Sequence, residues 1–435
     1  MRSNVTHLQP RVVRAAPEAL GLYLRAGRND HLELMNLFAA GDTGCFGVVF
    51  DATLETRHKE LKERALAHRL DAILDTKVMQ LALPGGYTPA VAKLPWANPD
   101  RVHTTADFQG LAGRRLIANI GDHAIKHGYT EVMAPTHLLR EFDDRWLAID
   151  VESTRLLRDY LDQNGGRDIP LIYPLAISYE ILRTPHMRAH VINALVNVKA
   201  DAIWLKVDRL NGSHATPTAV KNFIAAAEDF HQLGRKLVAD CIGGMVGLAL
   251  MAFGAVGGIA HGIGVFEKFD SGYLRSTKSG SGFAPPPMGV YFRDIDAMLN
   301  QKEAKQLLGA SPQAKAAFSC RDTNCCKRGW KDMTDNPKRH YVVQRMRQVA
   351  KLSQFPESIR AHRFLELFMR PTTDRALQAA SQVVGDEVFA KKLQKNRKRL
   401  DAMRVALGKQ LEKSPPHSYA VVPETRAARE ARNNR

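Results

Sequence analysis

Residues 202–240 decide the fold. They open with Ala202-Ile-Trp-Leu-Lys-Val-Asp208, a short apolar run that closes on an aspartate. A helix-start signal, Thr216-Pro217, then introduces apolar residues at helical spacing from Thr218 to Leu233. A second short run, Lys236-Leu-Val-Ala-Asp240, ends the segment. Strand, helix and strand in this order form a parallel crossover unit.

The same pattern recurs outward in both directions. Upstream lie Phe46-Gly-Val-Val-Phe-Asp51, Ala72-Ile-Leu-Asp75, Glu131-Val-Met-Ala134 and Pro170-Leu-Ile-Tyr-Pro-Leu-Ala-Ile177; downstream lies Gly257-Gly-Ile-Ala-His261. Helical patterns separate them at Arg57 to His68, Leu111 to His127 and Asp143 to Gln163. An eighth strand is expected at Val265 to Phe269 or Val290 to Phe292. About eight such repeats in roughly 300 residues suit a closed (β/α)8 barrel of the TIM type. The Gly-x-Gly-x-x-Gly turn of an open dinucleotide-binding sheet is missing after the first of these runs. The expected organisation is a barrel over 1–299, a metal-binding helical subdomain over 300–375, and a basic helical tail over 376–435 that frays at its end.

The chain has 435 residues, 45% of them hydrophobic and 25% charged, which is ordinary globular composition. No run approaches the ~18 apolar residues of a membrane span. The first residues lack the apolar core of a secretory leader, so a cytoplasmic protein without membrane partners is expected.

The net charge of +17 favours a polyanionic partner, with tRNA or DNA the expectation. Thirteen Lys and Arg stand against four Asp and Glu over residues 391–435. Lys391, Lys392, Arg397, Lys398 and Arg399 form the densest run. Arg275 and Lys278 lie in a Gly-, Ser- and Pro-rich loop placed to grip phosphate, and Lys327 and Arg328 flank a cysteine cluster. A solvated helix face or loop is the plainer reading of each.

That cluster is Cys320-Arg-Asp-Thr-Asn-Cys325-Cys326, followed by His340 with thirteen residues between Cys326 and His340. Three thiolates and one imidazole fill a tetrahedral structural zinc site, leaving no position for water. Arg321, Lys327, Arg328 and Lys331 favour the thiolate form.

Barrel strands, a three-cysteine, one-histidine cluster and a basic helical end, in this order, resemble the tRNA-guanine transglycosylase family, including its relatives that insert deazapurine bases into DNA. The likeness is best over residues 236–370, from Gly257-Gly-Ile-Ala-His-Gly-Ile-Gly264 through the cysteines to His340-Tyr-Val-Val-Gln-Arg-Met-Arg and Ser358-Ile-Arg-Ala-His-Arg-Phe-Leu-Glu-Leu-Phe-Met-Arg370. The resemblance implies a barrel with structural Zn2+ that exchanges a purine or deazapurine base in nucleic acid. This chain departs from the family at the last strand, which carries no aspartate, and in its cysteine spacing.

A barrel places its active site at the carboxyl ends of its strands. Asp51, Asp75, His137, Asp208, Asp240, His261 and Glu267 fall there by this reading. Base exchange needs a carboxylate to attack the sugar and a second group to move a proton. Asp75, Asp208 and Asp240 are the carboxylate candidates, and His261 is the acid/base candidate. Helix capping is the alternative role for each aspartate. Two rival functions remain open: a non-catalytic nucleic-acid-binding barrel, and a metal-dependent hydrolase of a nucleotide or phosphate ester using Asp51, Asp208, Asp240 and His261.

Overall fold

The computed structural model describes residues 18–212, 214–264, 267–275, 288–383 and 385–433. Eight parallel strands close into a barrel: β1 (Gly21–Arg25), β2 (Gly47–Asp51), β3 (Asp71–Asp75), β4 (Glu131–Met133), β5 (Leu171–Ile177), β6 (Ala202–Val207), β7 (Lys236–Asp240) and β8 (Gly258–Gly262). Each pairs with its successor, and β8 pairs with β1 in the register Tyr23↔Ala260 and Arg25↔Gly262. A two-residue strand, Leu138–Leu139, adds to the end of β5. Helices fill each connection, as parallel pairing requires. This is a TIM-type barrel.

The eighth strand is not at Val265–Phe269 or Val290–Phe292 but at Gly21–Arg25, upstream of every expected strand. Val290–Phe292 pairs antiparallel with Ala297–Leu299 in a separate ribbon, outside the barrel. Val265 lies outside the described residues; Lys268 and Phe269 belong to a loop.

Strand periodicity sorts the side chains. Tyr23, Val49, Ile73, Met133, Ile172, Trp204, Val238 and Ala260 point inward and plug the lumen. Outward residues such as Leu22, Val48, Leu74 and Leu205 pack beneath the helices in the main core. Two residues above the plug, the inward positions turn charged on five strands: Arg25, Asp51, Asp75, Lys206 and Asp240. The plug excludes water from below, and the charged layer faces the carboxyl-end opening.

The segment expected as a separate subdomain is continuous with the barrel. Helix Pro337–Ser353 packs against β1 and against the helices His31–Ala39 and Gly244–Ala252, where the eighth barrel helix belongs. The expected tail is also packed. Helix Glu387–Lys413 buries Phe389, Leu393, Leu400, Met403 and Leu407, and it lies on helix Pro217–His231. The expected frayed end forms helix Arg426–Asn433 instead. Arg429 there reaches the opposite mouth of the barrel, pairing with Asp71 and, at 2.8 Å, with Glu131. Two buried carboxylates need a cation, and this one closes the floor. No helix among the described residues is long and apolar enough to cross a membrane.

Candidate active site and metal centre

Arg25 is the hub of the mouth. Its Nε and Nη2 donate to the two oxygens of Asp240 at 2.6 Å each, and its Nη1 donates to Asp75 Oδ2 at 2.7 Å. Lys206 Nζ stands 3.0 Å from Asp240 Oδ2. Across the opening Lys77 Nζ pairs with Asp51 Oδ2 at 3.0 Å. Asp51 Oδ1 meanwhile accepts from the Thr53 amide and hydroxyl. A two-point guanidinium–carboxylate pair fixes direction as well as charge, which a single ammonium contact does not.

These side chains lie at the base of a cavity of about 670 Å³, within the usual range for a small-molecule site. Arg25, Arg28, Lys77, Lys206 and Lys268 line it against Asp51, Asp75 and Asp270. Asp240 is buried beneath this surface, so it presents Arg25 and Lys206 to the cavity rather than itself. The opening therefore carries more positive than negative charge.

Burial alone would raise the Asp75 carboxyl, but Lys77 first and then Arg25 and Lys206 hold it well below the usual range. Burial also opposes ionisation of Asp240, and Arg25 and Lys206 overcome it. Lys77 is itself held cationic by Asp51 and Asp75 against the desolvation it suffers. Cys241, on the cavity wall, is pushed up to about 11, by burial first and by Asp240 next, so it is a neutral thiol.

Two non-glycine residues at the mouth, Lys77 and Cys241, hold left-handed backbone at φ 59° and 60°. Each costs about 1–3 kcal/mol, strain that tends to collect where a side chain must be aimed. The Asp75 Oδ1 bond to the Lys77 amide, at 3.1 Å, holds the first of these turns.

The sequence-derived candidates separate here. Asp75 and Asp240 meet on one guanidinium. Asp208 stands apart: its two oxygens accept from the Ser271 amide and hydroxyl at 2.6 Å each, and Arg275 Nη2 lies 3.3 Å from it. It anchors the loop that brings Phe269, Asp270, Tyr273 and Leu274 to the cavity. His261 points away from the lumen, between the inward Ala260 and Gly262. Its Nδ1 lies 3.2 Å from the Tyr341 hydroxyl, and burial pushes it down to about 4. His137 is paired at 2.6 Å with Asp150 and stacked on Trp146 in the barrel–helix layer.

Arg25, Lys77 and Lys206 were not foreseen. Lys206 had a visible signal, a lone charge inside an apolar strand and in the same inward register as Trp204. Arg25 ends an apolar run as Asp51 and Asp75 do. Lys77 depends on a turn that spacing does not reveal.

The basic candidates are mostly committed. Arg275 is tied to Ser271 and Asp208, and Arg328 pairs with Asp332 and Asp335. Lys391 pairs with Glu387, Lys392 with Glu303, and Arg399 with Asp296. Lys327 and Lys398 are exposed, Arg397 is half-buried, and Lys278 lies outside the described residues.

The four metal-ligand candidates do converge. Cys320, Cys325, Cys326 and His340 place one ligand atom each within 4.8 Å of the others. Cys325 Sγ and Cys326 Sγ are 3.7 Å apart, and they lie 3.5 and 3.3 Å from His340 Nδ1. A tetrahedral site with ~2.3 Å metal–sulfur bonds needs ligand atoms about 3.8 Å apart, so the group can hold a metal ion. Nε2 of His340 donates to the Tyr291 carbonyl at 2.9 Å, which leaves the Nδ1 lone pair facing the sulfurs. Gln344 Nε2 donates to Cys320 Sγ at 3.6 Å.

Fold and mouth together define a TIM-type barrel with a charged cavity at its carboxyl end. The sequence matches no family model and no curated protein sequence. Similar solved structures include KGPDC from Streptococcus mutans, 11% identical over 59% of this chain and 95% of that one, with a TM-score of 0.35. Orotidine 5'-monophosphate decarboxylase from Methanocaldococcus jannaschii is 11% identical over 60% and 100%, at 0.35. The YdjI aldolase from Escherichia coli K12 is 10% identical over 78% and 91%, at 0.30. These likenesses are distant, and the barrel assignment rests on the strand pairing itself.

Proposed function

We propose that the protein is an enzyme that binds a small anionic substrate, of nucleoside or sugar-phosphate size, in the barrel mouth. Lys206 there supplies a proton or positive charge to a substrate atom that becomes negative. One observation carries this reading: Asp240, sealed beneath the cavity, aims Arg25 and Lys206 at it. Preorganised cations in a water-poor site stabilise developing charge with little reorganisation. Arg25 and Arg28 suit the substrate's own anionic group, and Lys77 neutralises Asp51 and Asp75 beside it.

Base exchange is the second reading. It is favoured by Asp75, a cavity-lining carboxylate kept ionised in a space that suits a purine. Asp240 serves it poorly as nucleophile, since both its oxygens are taken by Arg25 and Lys206. The metal-hydrolase reading has less support, because Asp208 and His261 do not face the cavity that Asp51 lines.

Zinc is the metal we assign to the cysteine–histidine group, given three thiolates and an imidazole. Its role is structural, with all four positions protein-derived.

Thermal shift with D-ribose 5-phosphate, guanosine 5'-monophosphate and free guanine tests the substrate class. Stabilisation by a phosphorylated compound that disappears in Arg25→Met or Lys206→Met is expected. Stabilisation by guanine alone, with incorporation of labelled guanine into tRNA or DNA lost in Asp75→Asn, would favour base exchange.

A further inference from the structure

A second cavity, of about 530 Å³, lies between the hairpin, the cysteine loop and the helices that follow it. Arg293, Arg321, Arg347, Lys351 and Arg375 converge on it against one lining carboxylate, Asp294. The cations come from separate elements. Arg293 is on the turn after Val290–Phe292, Arg321 lies between the cysteines, Arg347 and Lys351 are one turn apart on Pro337–Ser353, and Arg375 is on Arg370–Gln382.

Two of the five are neutralised: Arg293 by Asp294, and Arg347 by Asp322. Among the described residues Arg321, Lys351 and Arg375 have no ion-pair partner. Arg321 Nη2 donates to the Ala316 carbonyl, Arg375 Nη1 donates to Gln378, and Lys351 Nζ sits 5.3 Å from the Phe368 ring centre. Three like charges held together cost free energy unless an anion shares the site.

The rest of the wall is apolar. Leu367 and Phe368 lie on a π-helical turn, Leu365–Met369, and Met245 and Pro371 complete the surface. Such turns are uncommon, and they recur at binding sites because they re-aim side chains. A cationic rim beside an apolar wall fits phosphate joined to a flat ring.

We infer that this groove binds a phosphate-bearing nucleotide unit, with Arg321, Lys351 and Arg375 on the phosphate and Leu367 and Pro371 against the ring. The unit is either a free nucleotide or one residue of a single strand. This site is distinct from the barrel mouth and does not depend on the reading given for it.

The test uses full-length protein with two probes, ADP and a fluorescent short single-stranded oligo(dT), read by calorimetry and anisotropy. Wild-type protein is expected to bind at least one. ADP binding without oligo(dT) binding identifies a free nucleotide; oligo(dT) binding that ADP displaces identifies a strand. Lys351→Gln/Arg375→Gln should weaken binding by about tenfold or more, since each loses a charge-assisted hydrogen bond. Lys351→Gln alone, expected to lose part of this, keeps the test valid if the double variant melts early. Arg57→Gln/Lys59→Gln, exposed on helix Glu55–Ala67 away from the groove, should bind as wild type. No binding of either probe by wild-type protein, or unchanged affinity in both groove variants, would overturn the inference.

Discussion

Glu267 accepts a hydrogen bond from Arg345 Nη2 at 3.2 Å, and the same carboxylate oxygen accepts one from the Tyr341 hydroxyl. Tyr341 follows His340 on helix Pro337–Ser353, while Glu267 precedes Lys268, Phe269 and Asp270 of the mouth. Arg345 is fully buried and also faces the rings of Tyr291 and Tyr341. The cysteine–histidine centre and the mouth are therefore joined through one helix.

Metal removal should loosen the mouth. Chelation, or Cys325→Ser, is expected to lower the melting temperature and to speed amide exchange over residues 267–274 as well as around the cysteines. Exchange that rises only at residues 320–340 would show that the link does not transmit.

Arg25 should be the costliest single change at the mouth. Arg25→Met leaves Asp75 and Asp240 facing each other without their shared cation, a loss of about 3–5 kcal/mol by urea unfolding. Asp240→Asn in the same chain should recover part of it. Purely additive losses would mean that the two side chains do not interact. Arg25→Lys keeps the charge but not the two-point geometry, so ligand binding should fall more than stability.

The floor of the barrel gives a pH signature. Burial first, and Asp71 next, push Glu131 up to about 8, against the pull of Arg429. Its folded value lies above its unfolded one, so the protonated form favours folding. That stability is fully present below about 4.5 and is lost as pH rises toward 8. Glu131→Gln should flatten the fall in melting temperature between these limits. Arg429→Met should steepen it, because the carboxylates lose their cation. Parallel pH profiles for all three proteins would remove Glu131 as the cause.

Charge on helix Glu387–Lys413 should matter less than its density suggests. Lys391→Gln/Lys392→Gln removes side chains already paired with Glu387 and Glu303. Any salt dependence of polyanion binding should then change little in a filter assay. Deleting residues 391–435 should instead destabilise the whole chain, since Leu393, Leu400, Met403 and Leu407 leave the core with Arg429. A well-folded deletion protein would contradict that packing.

The barrel was legible because its strands are buried on both faces and end in polar residues, as the run from Ala202 to Asp240 shows. Gly21–Arg25 is less legible because it is a five-residue run, Gly-Leu-Tyr-Leu-Arg, with no β-branched residue. The cysteine–histidine group that could hold a metal ion was legible as a local cluster of uncommon residues. Strand-end aspartates were legible as a class, but their partners were not. Asp75 and Asp240 are 165 positions apart in sequence and meet only through Arg25. His261 looked reactive between glycines, yet strand alternation turns it outward, a one-residue distinction that the register with β1 settles. The basic run at 391–399 was legible as charge but not as packing, because its buried leucines recur on the opposite helix face.

In the function proposed above, Lys206, aimed by Asp240, handles a proton in the barrel mouth. The most direct measurement follows carbon-bound hydrogens of small phosphorylated and carboxylated metabolites by NMR in D2O with the zinc-loaded protein. Hydrogen–deuterium exchange is expected in at least one compound that wild-type protein also binds. That exchange should vanish in Lys206→Met, measured at a temperature where the variant is still folded. Exchange that persists in Lys206→Met at the wild-type rate would rule out Lys206 and move the chemistry to another group.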